Sequence, residues 1–408
     1  MQTLSVKSFS CIDAAELELG PLTVLIGPQA SGKSVLSKLT YFFNDLLREQ
    51  FRSVSLGRTI DEFKEAVKDR FHASFPSSAW GQGKFILRYT AGEYQIRLTR
   101  AVLRGSPTDN VRVRFSPFFN EQYERTLAAY RSAERTRDED WEWYDPIWIH
   151  AIKELRSRLG AAFVDGQLFI PAGRSFFTNT GKAFLTLEQS NLLDPVITRF
   201  GRAFESWLRR PRIVSKLNKT SAGLLGGSLR VERAEEFLIT ADGRKVPFSA
   251  MSSGQQELLP LMLALHVGSR TPAQYRKLIY IEEPEAHLFP SAQSTLVEMF
   301  VRVLNESKWM TQLFLTTHSP YVLAKINNLV KAHAVATWRR GAKAKDVQAI
   351  LPKDTWIPAK NVRAYAIENR MLRPILDEEG LIDAAYLDDV SGQISREFSS
   401  LLGIEVGE

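Results

Sequence analysis

Gly27-Pro28-Gln29-Ala30-Ser31-Gly32-Lys33-Ser34 decides how the rest of this 408-residue chain is read. Its G-x-x-x-x-G-K-S spacing is that of a loop whose backbone N–H groups wrap a phosphate. The flanks agree with it. Leu22-Thr23-Val24-Leu25-Ile26 reads as a buried strand, and Val35, Leu36, Leu39, Phe42, Phe43, Leu46 and Leu47 recur at helical spacing. A helix that starts at the loop adds its positive N-terminal end to the phosphate site. In that setting Lys33 reaches the β- and γ-phosphates of a nucleotide and Ser34 holds Mg²⁺.

Three further stretches follow in a fixed order. Met251-Ser252-Ser253-Gly254-Gln255 stands before an apolar helical run, Leu258 to Val267. Serines and a glycine opening a helix serve either as a plain N-cap or as an anion site, and both readings hold together. Pro260 should kink that helix or shift its start. Next, the apolar strand Leu278-Ile279-Tyr280-Ile281 runs into Glu282-Glu283-Pro284-Glu285. Phosphoryl transfer needs a carboxylate for its metal and a base for its water; Glu282 suits the first task and Glu283 the second. Finally, Leu313-Phe314-Leu315-Thr316-Thr317 ends at His318, where parallel sheets place their ligand edge, so His318 is the candidate γ-phosphate contact. His287 suits a dimer contact better than a phosphate.

The composition sets bounds. Hydrophobic content of 44% and charged content of 24% are those of an ordinary globular protein. Cys11 is the only cysteine, which excludes a disulfide framework and fits a reducing, cytoplasmic setting. No signal-like pattern opens the chain, and Leu258 to Val267 is too short to span a bilayer, so no membrane role is expected. The net charge of +7 permits nucleic-acid contact without requiring it.

Residues 1–50 and 165–325 read as one core, with strands at Leu4 to Ile12 and Ala15 to Leu19. Residues 51–164 read as an insertion, with a hairpin around Ala91-Gly92, a strand through Val111, Val113 and Phe115, helix from Glu121 to Gly160, and a solvated charged run from Arg131 to Asp140. Gln167 to Arg174 reads as a strand ending in a loop, Leu185 to Leu208 as helix broken near Pro195, and Ser228 to Val231 with Phe237 to Thr240 as strands before a turn at Asp242-Gly243. Residues 326–408 are expected to carry one strand, Ala334 to Trp338, and otherwise helix, with possible partner docking. Asp377-Glu378-Glu379 and Asp388-Asp389 read as exposed helix ends.

Taken in order, these motifs resemble the ABC-type ATPase heads of the SMC/RecF/OLD superfamily. Ile281-Glu282-Glu283-Pro284-Glu285-Ala286-His287-Leu288 and Thr316-Thr317-His318-Ser319-Pro320 are similar to the OLD-type and AAA15/AAA21-type branch, as are Phe169 to Arg174 and Ser252 to Gln256. The resemblance implies an α/β P-loop NTPase fold: an ABC-type head with an antiparallel β lobe, a mixed core sheet and a mainly helical insertion. It implies Mg-dependent ATP hydrolysis in a head-to-tail dimer, with Ser252, Ser253, Gly254 and Gln255 acting in trans on the ATP of a partner copy. It also implies a sensor loop supplied by Gln167 or Arg174, and base or ribose contacts near Ser8 and Phe9. OLD-type proteins often carry a Toprim nuclease domain; none is expected here. Stand-alone ATPases of this branch often work with a separate nuclease or toxin in anti-phage modules.

The leading expectation is therefore an ATP-gated switch for a partner effector. A second is a DNA-maintenance ATPase that clamps DNA through Arg88, Arg97, Arg100, Arg104, Arg112 and Arg114, although these residues also suit the wet face of an antiparallel sheet. A transporter motor is a poor match to the Glu-Pro-Glu-Ala-His-Leu segment and the large insertion.

Overall fold

The computed structural model describes residues 1–103, 106–132, 146–180, 184, 193–232, 235–269, 275–338 and 343–383. The chain opens on a hairpin of β1 (Gln2–Phe9) and β2 (Ile12–Glu18), then enters β3 (Leu22–Ile26) and the long helix α1 (Lys33–Ser55). β1 mixes buried and open residues, whereas β3 is buried at every position. That contrast separates an antiparallel strand with one wet face from a parallel strand covered on both.

Helix α2 (Ile60–Ser74) leads to β4 (Ile86–Ala91), β5 (Tyr94–Leu103) and β6 (Ser106–Phe115), and then to α3 (Pro117–Ser132) and α4 (Pro146–Leu159). The hairpin expected near Gly92 is present, with Ala91 opposite Tyr94. β4 pairs with β1, so these strands continue the sheet that the N-terminus began. After β7 (Gly166–Ile170) and α5 (Ser175–Thr180), helix α6 starts at Pro195 (Pro195–Leu208), where the Asp194 side chain accepts the Val196 N–H. Residues 185–192 of the expected helix lie outside the described residues, as do residues 133–140 of the charged run. Helix α7 (Pro211–Leu225) precedes a small sheet of β8 (Gly227–Glu232), β9 (Glu235–Thr240) and β10 (Lys245–Pro247), in the order β10-β9-β8.

The remainder alternates helix and strand: α8 (Ser253–Gly268), β11 (Lys277–Glu282), α9 (Pro290–Glu306), β12 (Thr311–Thr317), α10 (Pro320–Thr337), α11 (Ala344–Ile350), β13 (Val362–Glu368) and β14 (Met371–Pro374). Eleven strands form one sheet in the order β6-β5-β4-β1-β2-β14-β13-β3-β12-β11-β7. β7, β11, β12, β3 and β13 run parallel, and the β13–β14 hairpin joins them to the antiparallel half. Successive residues of the parallel strands serve opposite cores. Leu278, Tyr280 and Phe314 pack with α1 and the insertion; Ile279, Ile281, Leu313 and Leu315 pack with the helices of the other face. Each such fully buried side chain contributes on the order of 1.5–3 kcal/mol.

Three expectations for the C-terminal region are corrected. Ala334 to Thr337 is the last turn of α10, because Leu323, Ile326, Leu329, Val330 and Ala336 are buried along one helical face. The chain then returns to the main sheet rather than continuing as helix: β13 lies between β3 and β14, with both its faces covered. Asp377, Glu378 and Glu379 are exposed, but they sit on a turn that Gly380 closes onto the Asp377 carbonyl. Asp388-Asp389 lies outside the described residues. Pro260 does not shift the start of α8, which runs from Ser253 through the proline to Gly268. Among the described residues no helix is long and apolar enough to cross a membrane.

Candidate active site

Strand register builds the site. Thr317 of β12 lies beside Ile26 of β3, and Thr316 lies beside Glu282 of β11. Three neighbouring parallel strands thus end together, each about 4.8 Å from the next. Their continuations are the glycine-rich loop, His318 and Glu283.

The loop leaves β3 at Gly27 and turns through Ala30 and Gly32, which adopt φ of 59° and 105°. At Gly32 a side chain has no room, since a Cβ there would lie 2.4 Å from the Ile12 side chain. Gly32 caps α1 without a side-chain hydrogen bond, and no acidic residue stands in the first turn. Thr59, Asp194, Ser252 and Ser319 cap four other helices, whereas Arg210, Phe289 and Lys343, like Gly32, supply no side-chain cap. The first N–H groups of α1, and the positive end of its dipole, are therefore left to a ligand. Lys33 is buried, and its ammonium donates to the Gly27 and Pro28 carbonyls at 2.8 Å each. Burial lowers its pKa, while Glu283, Glu285 and Glu282 oppose that shift.

Glu282 is buried at the end of β11, and burial raises its pKa. The Ser34 hydroxyl, the Lys38 charge and the Ala172 N–H offset part of that rise. One carboxylate oxygen, Oε1, is buried without a hydrogen-bond partner. A hydroxyl and an unsatisfied carboxylate oxygen form a hard-oxygen donor set that fits Mg²⁺.

Glu283 adopts φ of 44°. A non-glycine residue held there costs on the order of 1–3 kcal/mol, so its surroundings must impose it. Its N–H donates to the Thr316 carbonyl at 2.9 Å, and its own carbonyl accepts from Arg174 at 3.0 Å. The side chain is partly exposed, with Oε1 3.4 Å from Nε2 of His318. Glu285, to which the sequence reading gave no role, accepts the Thr317 hydroxyl at 2.7 Å and the His318 N–H at 2.6 Å. Its other oxygen is buried and unpartnered. The only sequence signal for it is its spacing, two residues beyond Glu283.

The serine-glycine segment stands apart from this cluster. Ser252 is exposed and forms a capping box with Gln255, whose amide reaches the Leu225 carbonyl. Ser253 opens α8 and is exposed. Gly254 is pressed against the loop after the acidic strand; a Cβ there would lie 2.9 Å from the His287 carbonyl oxygen. These contacts run to Leu225 and His287, not to residues 27–34.

Three sequence expectations meet different surroundings. Gln167 lies opposite Leu278, four residues short of Glu282, and its amide binds the Tyr41 carbonyl and Asp45. It is thus roughly 13 Å along the strands from the acidic end. Arg174 is fully buried, and its guanidinium donates to the carbonyls of Pro171, Glu257, Glu282 and Glu283, holding it among main-chain groups. Phe9 belongs to an aromatic core with Phe71, Phe75 and Phe85 and offers no face to a base, while Ser8 beside it is exposed. What flanks the loop instead is an open cavity of about 690 Å³ lined by Cys11, residues 28–31 and the β13–β14 turn with Asn369 and Arg370. The sequence reading missed that turn because it expected helix there.

The arginines of the β lobe separate into groups. Arg100 is tied to Gly81, Gly83, Thr108 and Asp109, and Arg104 lies outside the described residues. Arg88, Arg97 and Arg114 face one another across β4, β5 and β6, with Arg112 on the same face two residues from Arg114. Among the described residues none of these four side chains makes a hydrogen bond or ion pair.

A family profile described as "AAA domain, putative AbiEii toxin, Type IV TA system" matches residues 22–324. An "OLD nuclease" of Thermus scotoductus is 22% identical over 348 residues, which cover 80% of this chain. The chain spans 60% of that protein's length. Among solved structures, an SMC head bound to the C-winged helix domain of ScpA is similar at 15% identity and a TM-score of 0.44, covering 91% of this chain and 96% of that one. An Smc head with an extended coiled coil, bound to the C-terminal domain of ScpA and derived from Pyrococcus furiosus, is similar at 12% identity and a TM-score of 0.42, covering 97% and 100%.

Proposed function

Since the chain belongs to the AAA domain family matched over residues 22–324 and is an ATPase of that family, we propose that two copies act as a nucleotide-gated switch. In this reading the backbone of residues 27–34 wraps the phosphates of ATP and Lys33 neutralises their charge. Ser34 and Glu282 hold Mg²⁺, which would supply further positive charge at the phosphates. Glu283 takes a proton from the attacking water, and His318 contacts the γ-phosphate. Ser252, Ser253, Gly254 and Gln255 close over the ATP of a partner copy, giving a head-to-tail dimer. The change between open and closed dimers is passed to a separate effector, a nuclease or toxin, in anti-phage defence.

One observation supports the reading above all. The loop, the two acids and the histidine share one sheet edge, while the exposed serine-glycine segment makes its contacts elsewhere. A segment with that chemistry, turned away from its own loop, suits the phosphate of a neighbour. Size-exclusion chromatography of Glu283→Gln with ATP and with ADP tests it. The expected result is a dimer with ATP only; a monomer under both conditions removes the switch.

A second reading, nucleic-acid binding, is favoured by the arginine row. Like charges placed opposite one another destabilise a sheet, and here they stand without acidic partners. Among the described residues of β4, β5 and β6 no aromatic side chain is exposed as a stacking platform, so the face suits a phosphate backbone rather than unstacked bases. Duplex binding that weakens with salt, and is lost in Arg88→Gln/Arg97→Gln/Arg114→Gln, is its test. Binding unaffected by the triple substitution rejects it.

A further inference from the structure

Arg174 was, with Gln167, a candidate to supply the sensor loop, yet it is one of the most deeply buried charges among the described residues. A guanidinium is a planar fork with fixed donor directions, so one bonded through all three of its nitrogens fixes the relative positions of its acceptors. Here the acceptors belong to the end of β11, to α8 and to the loop of Arg174 itself. Nη1 donates to the Glu282 carbonyl at 2.6 Å and to Pro171 at 3.0 Å, and Nη2 donates to the Glu283 carbonyl at 3.0 Å. Nε donates to the Glu257 carbonyl of α8 at 3.0 Å. The Glu257 carboxylate closes the unit by accepting the N–H groups of Arg174 and Ser175 at 2.9 and 3.0 Å. Ser252, at the start of the same helix, lies five residues before Glu257.

We infer that Arg174 is a positioning residue that fixes the main chain of Glu283 to the start of α8, so that the serine-glycine segment and the base of one copy move as one body. The inference rests on the reading of Glu283 as the base. The left-handed backbone of Glu283 supports it, because that conformation needs an external hold and Arg174 grips the carbonyl on its far side. Nucleotide affinity should not depend on this link, since the loop of residues 27–34 makes no hydrogen bond to Arg174.

The test is a double-mutant cycle in the full chain. Arg174→Lys keeps a charge but loses the fork. In an otherwise wild-type chain it is expected to lower kcat at least tenfold, with the Kd for a fluorescent ATP analogue within about threefold of wild type. In a Glu283→Gln background the same substitution should leave the residual rate unchanged, because the group it positions is already disabled. Glu257→Gln, which preserves shape, should follow the same pattern with a smaller loss and serves if Arg174→Lys fails to fold. An equal loss in both backgrounds overturns the inference, as does an unchanged kcat or a Kd that weakens in step with kcat. If Glu283→Gln alone hydrolyses ATP at the wild-type rate, the assignment of the base fails first, and the inference falls with it.

Discussion

Glu285 accepts the backbone N–H of His318 at 2.6 Å, so the histidine is held through its main chain by a carboxylate from the loop after the neighbouring strand. The Thr317 hydroxyl binds the same oxygen at 2.7 Å. The loop after β11 is thereby clamped to the loop after β12.

Removing that clamp should affect catalysis more than folding. Glu285→Ala removes the acceptor of the part-buried His318 N–H and of the Thr317 hydroxyl proton, a penalty of about 1–3 kcal/mol. If that penalty falls on the placement of His318, kcat drops roughly tenfold to a hundredfold. Glu285→Gln retains an acceptor and should lose much less. Steady-state ATPase rates beside thermal denaturation separate the two effects; a large fall in melting temperature with an unchanged rate contradicts the prediction.

Glu282 predicts a pH-dependent gain in stability. Burial raises its folded-state pKa above the ordinary 4.5, so the native chain holds this proton to higher pH than the unfolded chain. The resulting destabilisation is absent below the unfolded value and complete once pH has risen above the folded one. Glu282→Gln should therefore melt higher than wild type near neutral pH and show no gain in acid below the carboxylate range. Melting curves across that range are the measurement. A gain that grows on acidification contradicts the sign.

Two inactive variants should restore one another. Ser252→Arg places a bulky cation in the expected seam, while Lys33→Ala strips charge from the phosphate loop. Each is expected to be inactive as a homodimer. A mixed dimer keeps one composite site with both parts intact, so partial ATPase activity should return on mixing. Wild-type hydrolysis by Ser252→Arg alone contradicts catalysis in trans.

Arg97 stands between Arg88 and Arg114 in direct register. Replacing it with threonine, a good strand former, should stabilise the chain by about 0.2–1 kcal/mol through relief of like-charge pairing. The same change should weaken duplex binding at low salt. A denaturant midpoint that falls on substitution contradicts the first half, and unchanged binding contradicts the second.

Much of this architecture was legible in the sequence because its signals are local. β3, β11 and β12 are short apolar runs, and the polar residues that follow them mark their ends. What escaped was set by partners far along the chain. The run Val362-Arg363-Ala364-Tyr365-Ala366-Ile367 has small residues at alternate positions, and only its place between β3 and β14 makes it a strand. Gln167 lies within a correctly read strand and Arg174 follows it, but a sequence does not say which polar group will be enclosed. Arg174 is enclosed because α8 packs over it, and Phe9 faces inward because α2 supplies a ring against it. The trans role of Ser252 and the identity of an effector concern a second molecule, which neither periodicity nor spacing describes.

The position of β3 has a consequence for biosynthesis. Leu22 is flanked by Leu313 and Val362, so the strand that feeds the phosphate loop leaves the ribosome long before either of its neighbours. Until they arrive, β3 has two open edges and no stable place in a sheet. Contacts so distant along the chain are slow to form and leave apolar surface open to aggregation in the meantime. A nascent chain halted before Val362 would present the loop beside an unpaired edge of β3, without the cavity wall that Asn369 and Arg370 provide. The surroundings of the loop are thus completed only late in synthesis, and an interrupted product would offer chaperones and proteases an exposed strand.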